Sequence, residues 1–323
     1  DLDFERFKAA SSGTEEIELG LSKWELKGVP PVDGLGPISL GAGDVRLLVE
    51  RAAAGSLEAG VELEDGQLSW SDGAGLLKGL EGKVQLASVR PPATKGRQRF
   101  QFASIQQGDF KTESGRVAFA YSDGPEVDEP LELECAADAL GGRVRIVSKG
   151  RVAPPWSLAL RVYLERVDLD KVAALFPQFD GEIEGKASGE LALRLEDERF
   201  VLEPGSIELT PDTVGRFAYT QQGWLTQDAD LNPQVFVEDR DIVNIMKDPK
   251  GASVITELAM RDLAMTEFTL NVLERDSGGE RIKAQIRGHS TVKGVKVPVV
   301  LDVPIRGDVK ETVNAVLKLN AQR

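Results

Sequence analysis

Hydrophobic and polar residues alternate with a period of two along most of the chain, most clearly between Phe179 and Tyr219. Ile183, Leu191 and Leu193 occupy odd positions, and the even positions between them carry mostly charged residues. Successive side chains of a β-strand point to opposite faces, so this pattern predicts strands with one charged face and one aliphatic face.

The same alternation recurs before and after this segment. Asp65-Gly66 and Asp72-Gly73 are dipeptides typical of hairpin turns. We predict strands at residues 61–63, 68–70, 80–86, 99–105, 108–121, 131–137, 142–147, 156–164, 268–272, 282–286 and 299–305.

Short helices are predicted where the spacing of apolar residues changes. Asp44 is a suitable N-cap for a helix over 45–54, which Gly55 would end. Further helices are expected at about 168–176, at about 237–263 in two pieces separated by Pro249, and at about 308–319.

About fifteen strands against four or five short helices is far more strand than usual. Crossover helices between strands are missing, so the sequence predicts a mainly β fold built on one long, curled antiparallel sheet. We expect a first β segment at 1–165 and a second at 166–323, possible parts of one continuous domain.

The aliphatic face has to be covered, because exposing apolar surface costs roughly 25 cal/mol per Å². A closed sandwich or barrel would cover it with protein. An open groove would leave it for an apolar ligand, since large exposed apolar patches mark binding surfaces. Alternation alone leaves both arrangements open.

Composition narrows the class of protein. The 323 residues carry a net charge of −14, which disfavours a nucleic-acid partner. The nearest basic cluster, Lys95, Arg97 and Arg99, is interpreted as a loop. No apolar run reaches the roughly 18 residues of a membrane span. The chain begins at Asp1 rather than Met, so we expect a processed or trimmed chain whose anchor has been removed.

No residue pattern indicates catalysis or a cofactor. His289 is the only histidine and is interpreted as a loop residue, and Cys135, the only cysteine, as a core thiol. A structural zinc site needs four nitrogen or sulfur ligands. Acidic pairs such as Asp168/Asp170 are expected by chance among 53 acidic residues. Phosphate-loop and hydrolase motifs are absent, so we predict a non-enzymatic protein without metal or cofactor.

Three groups of motifs resemble the C-terminal part of the YdbH family of AsmA-like envelope proteins, often labelled a "dicarboxylate transport" domain. They are VDL followed by GEIEG at 181–185, the ladder GELAL and FVLEPGSI within 189–207, and KAQIRG followed by VPVVLDVPIRG within 283–307. The resemblance runs over about residues 40–319. The chain departs from the family pattern at His289 and Asp302, where asparagine is usual.

This resemblance implies a periplasmic bridge of diderm bacteria, anchored in the inner membrane in the full-length protein, that carries phospholipids to the outer membrane in a hydrophobic groove. It also implies a small outer-membrane lipoprotein as a partner at the C-terminal end. The dicarboxylate label does not suit the sequence, which lacks a cationic cluster for two carboxylates. The alternative function is a closed structural or interaction domain of the envelope without lipid.

The candidate groove-lining residues are the aliphatic and aromatic members of the alternating strands, which would contact phospholipid acyl chains if the face is open and form packed core if it is closed. They are Ile183, Leu191, Leu193, Leu195, Val201, Ile207, Leu209, Phe217, Phe268, Leu270, Val272, Val299, Leu301 and Val303.

Overall fold

The fold is a single large antiparallel sheet with two short helices in the part of the chain that is described. The structure, a computed structural model, describes residues 3–305 except for positions 13, 23–24, 29–37, 42–43, 52–56, 71–74, 90, 108–109, 125–126, 152–156, 175–180, 197–198, 220–233, 236–248, 277–278 and 293. Within these residues 22 strands join one sheet, which confirms the expected mainly β class.

The strands of the first half are β1 (Asp3–Ser12), β2 (Thr14–Ser22), β3 (Glu25–Gly28), β4 (Ile38–Gly41), β5 (Asp44–Arg51), β6 (Leu57–Trp70), β7 (Gly75–Val89), β8 (Pro92–Thr94), β9 (Gln98–Phe102), β10 (Ser104–Gln107), β11 (Phe110–Tyr121), β12 (Leu131–Ala139), β13 (Gly142–Arg151) and β14 (Ser157–Asp168). The second half contains α1 (Leu169–Ala173), β15 (Gly181–Glu184), β16 (Lys186–Glu196), β17 (Arg199–Leu209), β18 (Gly215–Tyr219), β19 (Gln234–Val235), α2 (Pro249–Met260), β20 (Leu263–Asp276), β21 (Gly279–Val292) and β22 (Val295–Ile305).

The long strands lie side by side in nearly sequential order. The pairing runs β1, β2, β5, β6, β7, β9, β11, β12, β13, β14, β16, β17, β20, β21, β22, with the short strands attached beside them. Among the described strands no pairing joins β1 to β22, so the sheet does not close into a barrel there.

Bulges interrupt several of these pairings and increase the local twist, which curls the sheet. Asp65 has a φ of 49° and lies at a register shift inside β6, and Arg166 has a φ of 52° at a shift inside β14. The hairpin turn predicted at Asp65-Gly66 is therefore wrong, because the strand continues through it. Asp72-Gly73 lies outside the described residues.

Two local predictions are corrected by the pairing. Residues 45–54 were expected to be helical, but β5 pairs with both β2 and β6. Val45, Leu47 and Val49 alternate as strand residues do, and the tertiary pairing outweighs the capping signal of Asp44. His289 lies in β21, opposite Ala264, and not in a loop.

The helices agree in part with the prediction. The expected helix at 168–176 is α1, and the second piece of the helix expected at 237–263 is α2, which begins at Pro249 and ends before Leu263 starts β20. The first piece, at 237–248, and the C-terminal helix at 308–319 lie outside the described residues.

Aromatic rings cover glycines on neighbouring strands. A Cβ on Gly82 would clash with Cδ1 of Phe100, and one on Gly115 would clash with Cζ of Phe102. These glycines pair directly with the same phenylalanines, so each ring occupies the space that a side chain on the partner strand would need. The sheet can therefore accommodate bulky rings without separating its strands.

The main packed core lies where α2 covers the sheet. Ile255 and Met260 of α2 are buried in one cluster with Met265, Ile286 and Val299 of β20, β21 and β22. These five side chains are at most 5% exposed. The helix therefore supplies a dry core for one part of the sheet only.

An ionic cluster fixes α1 to the strands around it. Lys186 Nζ donates to Asp168 Oδ1 at 2.7 Å and to the backbone carbonyl of Gly141 at 3.1 Å, and Lys171 Nζ lies 3.2 Å from Asp168 Oδ2. Partial burial opposes ionisation of Asp168, but the hydrogen bonds and charges of Lys186 and Lys171 lower its pKa overall. The cluster joins the β12–β13 turn, the end of β14 and the start of β16.

The proposed boundary at 165/166 falls inside β14, and the sheet continues on both sides of it. The division into two segments stays a prediction.

Candidate functional site

One face of the sheet carries continuous rows of apolar residues, and we call it the apolar face. Directly opposed residues of an antiparallel pair share a face, so the rows follow from the register. The first row is Val45, Leu63, Gly82, Phe100, Val117, Cys135, Ile146, Val162 and Leu191.

Two further rows run beside the first. One contains Phe102, Gly115, Ala137, Val144, Leu164, Gly189, Ile207, Leu270 and Ala284, and the other Phe119, Leu133, Ser148, Leu160, Leu193 and Leu202. Apart from Ser148, each position is apolar or glycine. The apolar face therefore extends across strands from β5 to β21 without a charged residue in these rows.

The middle of the apolar face is only half-buried. Ile146, Leu160, Val162 and Leu193 all retain partial solvent exposure, although they point to the same side as the core residues. By contrast, Val299 beneath α2 is 1% exposed. In the described part of the chain α2 packs mainly on β18, β21 and β22 and α1 on β14 and β15, and Val144 of β13 lies at the margin of their core. This contiguous, incompletely covered aliphatic surface is therefore the candidate binding site.

The opposite, charged face carries cross-strand ion pairs. Lys149 Nζ lies 2.7 Å from Glu132 Oε1, and Arg161 Nη1 lies 3.0 Å from Glu190 Oε1. The guanidinium of Arg145 lies 4.2 Å from the ring centroid of Tyr163. These side chains are largely exposed, so they keep this face in water and contribute little stability individually.

Several predicted lining residues belong to the packed core. Ile183, Phe217, Val299 and Leu301 are buried in the cluster under α2. Leu195 and Val272 are also buried, at 1% and 4% exposure.

The strand register decides which face of the sheet each of the other predicted residues occupies. Leu191, Leu193, Ile207, Leu209, Phe268 and Leu270 lie half-buried on the apolar face. Val303 pairs with Ala284, and its side chain lies outside the described set.

Val201 does not share the apolar face. It pairs with Arg194, whereas its neighbour Leu202 pairs with Leu193. The register shifts beside Glu190, where Pro204 and Gly205 form a bulge, and this shift reverses the alternation in the first half of β17. Leu202 therefore takes the place that the sequence pattern assigned to Val201.

The pattern from 179 to 219 led to the omission of earlier strands from the candidate site. Ile146, Leu160 and Val162 continue the rows of Leu191 and Leu193 on β13 and β14. Their own alternation with Arg145 and Arg161 was visible in the sequence. What the sequence could not provide was the register that aligns them with β16.

Cys135 lies on the apolar face between Val117 and Ile146. It is half-buried, and burial raises the pKa of its thiol. The thiol is thus a native reporter of what covers this part of the face.

Neither a metal site nor a membrane-spanning helix has support among the described residues. No three His, Cys, Asp or Glu side chains there are placed to bind a metal ion together. Within the same residues, no helix has the length and apolar character needed to span a bilayer.

Comparison with known proteins identifies one family. The family model "YdbH-like: Intermembrane phospholipid transport protein YdbH" matches residues 41–211, from the end of β4 to just beyond β17. No curated protein and no solved structure gives a significant match. The match spans more than half of the 323 residues and includes most of the apolar face. The chain belongs to the YdbH-like family.

Proposed function

We propose that the half-buried apolar face holds the acyl chains of phospholipids, with the headgroups in water, in a periplasmic protein that carries phospholipid between the inner and outer membranes. The observation that carries the proposal is the row of partly exposed aliphatic side chains on β12, β13, β14 and β16. The name of the family supports phospholipid as the ligand.

The energetics favour such a surface for moving lipid through water. Each methylene group transferred out of water contributes about 0.8 kcal/mol. A surface that keeps contact with the acyl chain from one strand to the next removes most of this cost. The protein therefore needs a continuous apolar path, and no catalytic group.

The dimensions are suitable. Strands are spaced about 4.8 Å apart, so a row across β11, β12, β13, β14 and β16 extends about 20 Å. One acyl chain fills half of the bilayer's hydrocarbon core, about 15 Å. A single row can therefore accommodate one chain, and the parallel rows can accommodate the second.

The alternative is an envelope scaffold whose apolar face is covered by protein alone. Mass spectrometry of an organic extract of the purified chain separates the two functions. We expect phospholipid in near-stoichiometric amount. A folded chain with no bound lipid, whose apolar face does not take up added lipid, would rule out the proposal.

A matched pair of variants locates the binding. Leu193→Arg places a charge on the apolar face, between Leu160 and Leu202. Val147→Arg makes a similar change on the charged face, between Glu134 and Arg161. Leu193→Arg should lose the lipid and keep the circular dichroism spectrum, whereas Val147→Arg should keep both. If Leu193→Arg unfolds the chain, that position is packed core.

A further inference from the structure

A basic region on the charged face stands out from the acidic chain. Residues 75–121 contain eight lysines and arginines and three acidic residues, a net charge of +5. The other residues therefore carry a net charge of −19, which together with +5 gives the total of −14. A second basic stretch, residues 139–164, has five lysines and arginines and no acidic residue, but most of its cations form ion pairs across strands. The stretch from β7 through β11, which the sequence pattern alone had reduced to a basic loop at Lys95, Arg97 and Arg99, differs because several of its cations lack such partners among the described residues.

The pairing gathers these charges on one surface, which we call the basic band. Arg99 pairs directly with Lys83, and Arg116 pairs with Gln101 on the strand of Arg99. All members of the band are exposed: Lys78, Lys83, Arg97, Arg99, Lys111 and Arg116. Glu81 and Glu113 are the exposed acidic residues within the same strands.

Most of this charge is not neutralised by the protein. Within the described residues, Lys83, Arg99 and Arg116 have no carboxylate at ion-pair distance, and Glu62, beside Lys83, contacts Arg46 instead. Glu134 binds Arg97 and lies 3.9 Å from Arg145. Like charges directly opposed on a sheet are destabilising. Lys83 is also directly opposed by Glu62, and an external anion would offset the repulsion that remains between Lys83 and Arg99.

We propose that the basic band docks on the phosphate surface of an anionic phospholipid bilayer. A sheet face with long cationic side chains suits a surface of phosphate groups. The residues between the cations, such as Gln101, Gln106 and Ala118, supply no aromatic anchor of the kind that protein interfaces use. The acidic remainder of the chain is repelled by such a membrane, so the band also sets the orientation.

Co-sedimentation with vesicles tests the docking. At low salt the chain should sediment with vesicles of phosphatidylcholine plus phosphatidylglycerol, and not with phosphatidylcholine alone. High salt should release it. Arg99→Glu combined with Arg116→Glu should reduce the bound fraction at least about tenfold. Arg99→Glu also replaces a like-charge pair with an opposite one, so the variant should remain folded.

The control makes the same change of charge outside the band. Arg143→Glu combined with Arg287→Glu lies on the charged face of β13 and β21 and should retain vesicle binding. Equal loss in both double variants, or sedimentation with neutral vesicles, would overturn the proposal. Binding of polyglutamate through the basic band without any binding to vesicles would also overturn the proposal, because the partner would then be an acidic protein.

The docking can fail independently of lipid carriage. Leu202→Glu alters the apolar face and leaves the basic band intact, so it should lose the co-purified lipid and still sediment with anionic vesicles. The reverse result, loss of vesicle binding in Leu202→Glu, would overturn the assignment of docking to the charged face.

Discussion

Two adjacent residues of β17 belong to opposite faces of the sheet. Leu202 pairs with Leu193 on the apolar face, and Val201 pairs with Arg194 on the charged face. Both side chains are half-buried, so exposure alone does not distinguish them. The register at the Pro204-Gly205 bulge decides which of the two can contact an acyl chain.

Glutamate substitution at each position measures this difference. Val201→Glu places a carboxylate opposite Arg194, which should leave lipid content and thermal stability within error of the wild type. Leu202→Glu places it among leucines, where an unpaired charge is costly, so bound lipid should be lost. Phosphorus content of the purified variants is the measurement. If both variants lose lipid equally, the register at the bulge is not as described.

The alternation of residues 179–219 was enough to identify Leu191 and Leu193 as apolar-face residues, since no bulge lies between them. It was insufficient for Val201, because a single added residue reverses the faces and the site of addition is set by pairing. Pro204 and Gly205 are residues that often mark a bulge, and they were the available signal.

At the scale of elements, α1 depends on the carboxylate of Asp168. Lys186 and Lys171 both contact it and lower its pKa against the opposing effect of burial. A carboxylate whose pKa is lower in the folded than in the unfolded state stabilises the protein above the unfolded pKa. This stability is lost as the pH falls through the folded pKa.

Asp168→Asn should therefore lower the melting temperature at pH 7, by an amount that corresponds to about 1 kcal/mol. The difference from the wild type should disappear below the lowered pKa of Asp168, because the wild-type carboxyl is then protonated as well. Melting curves recorded from neutral to acidic pH measure it. Asp138→Asn, at a more exposed pair with Arg143, is the control and should change little. A difference that persists in acid would mean that Asp168 does not act through its charge.

Strands with clear alternation of apolar and polar residues were predictable from the sequence. Their ends, and segments whose ends resemble helix caps, were not. Strands β20, β21 and β22 contain the predicted strands at 268–272, 282–286 and 299–305, but each begins several residues before the prediction. Residues 45–54 were misassigned because Asp44 and Gly55 resemble helix ends. The pairing of β5 between β2 and β6, which decides its structure, is a long-range contact that local sequence does not contain.

For the whole molecule, the sequence indicated a long antiparallel sheet and left open what covers it. The structure separates a part covered by α2 from a part whose aliphatic residues remain half-buried. It also separates charge, because the basic band lies on the face opposite the apolar rows. An acidic composition concealed this band, since net charge averages over strands that pairing brings together.

Cys135 makes the cover of the apolar face measurable in the unmodified chain. It is half-buried between Val117 and Ile146, and burial raises the pKa of its thiol, so labelling should be slow at neutral pH and faster at alkaline pH. Removal of lipid by detergent exchange should accelerate labelling by a bulky maleimide, and added phospholipid should slow it again. The denatured chain gives the limiting rate. A labelling rate that is indifferent to lipid would mean that protein, and not acyl chains, covers this region, because only a removable ligand can change the access of a reagent to a fixed thiol.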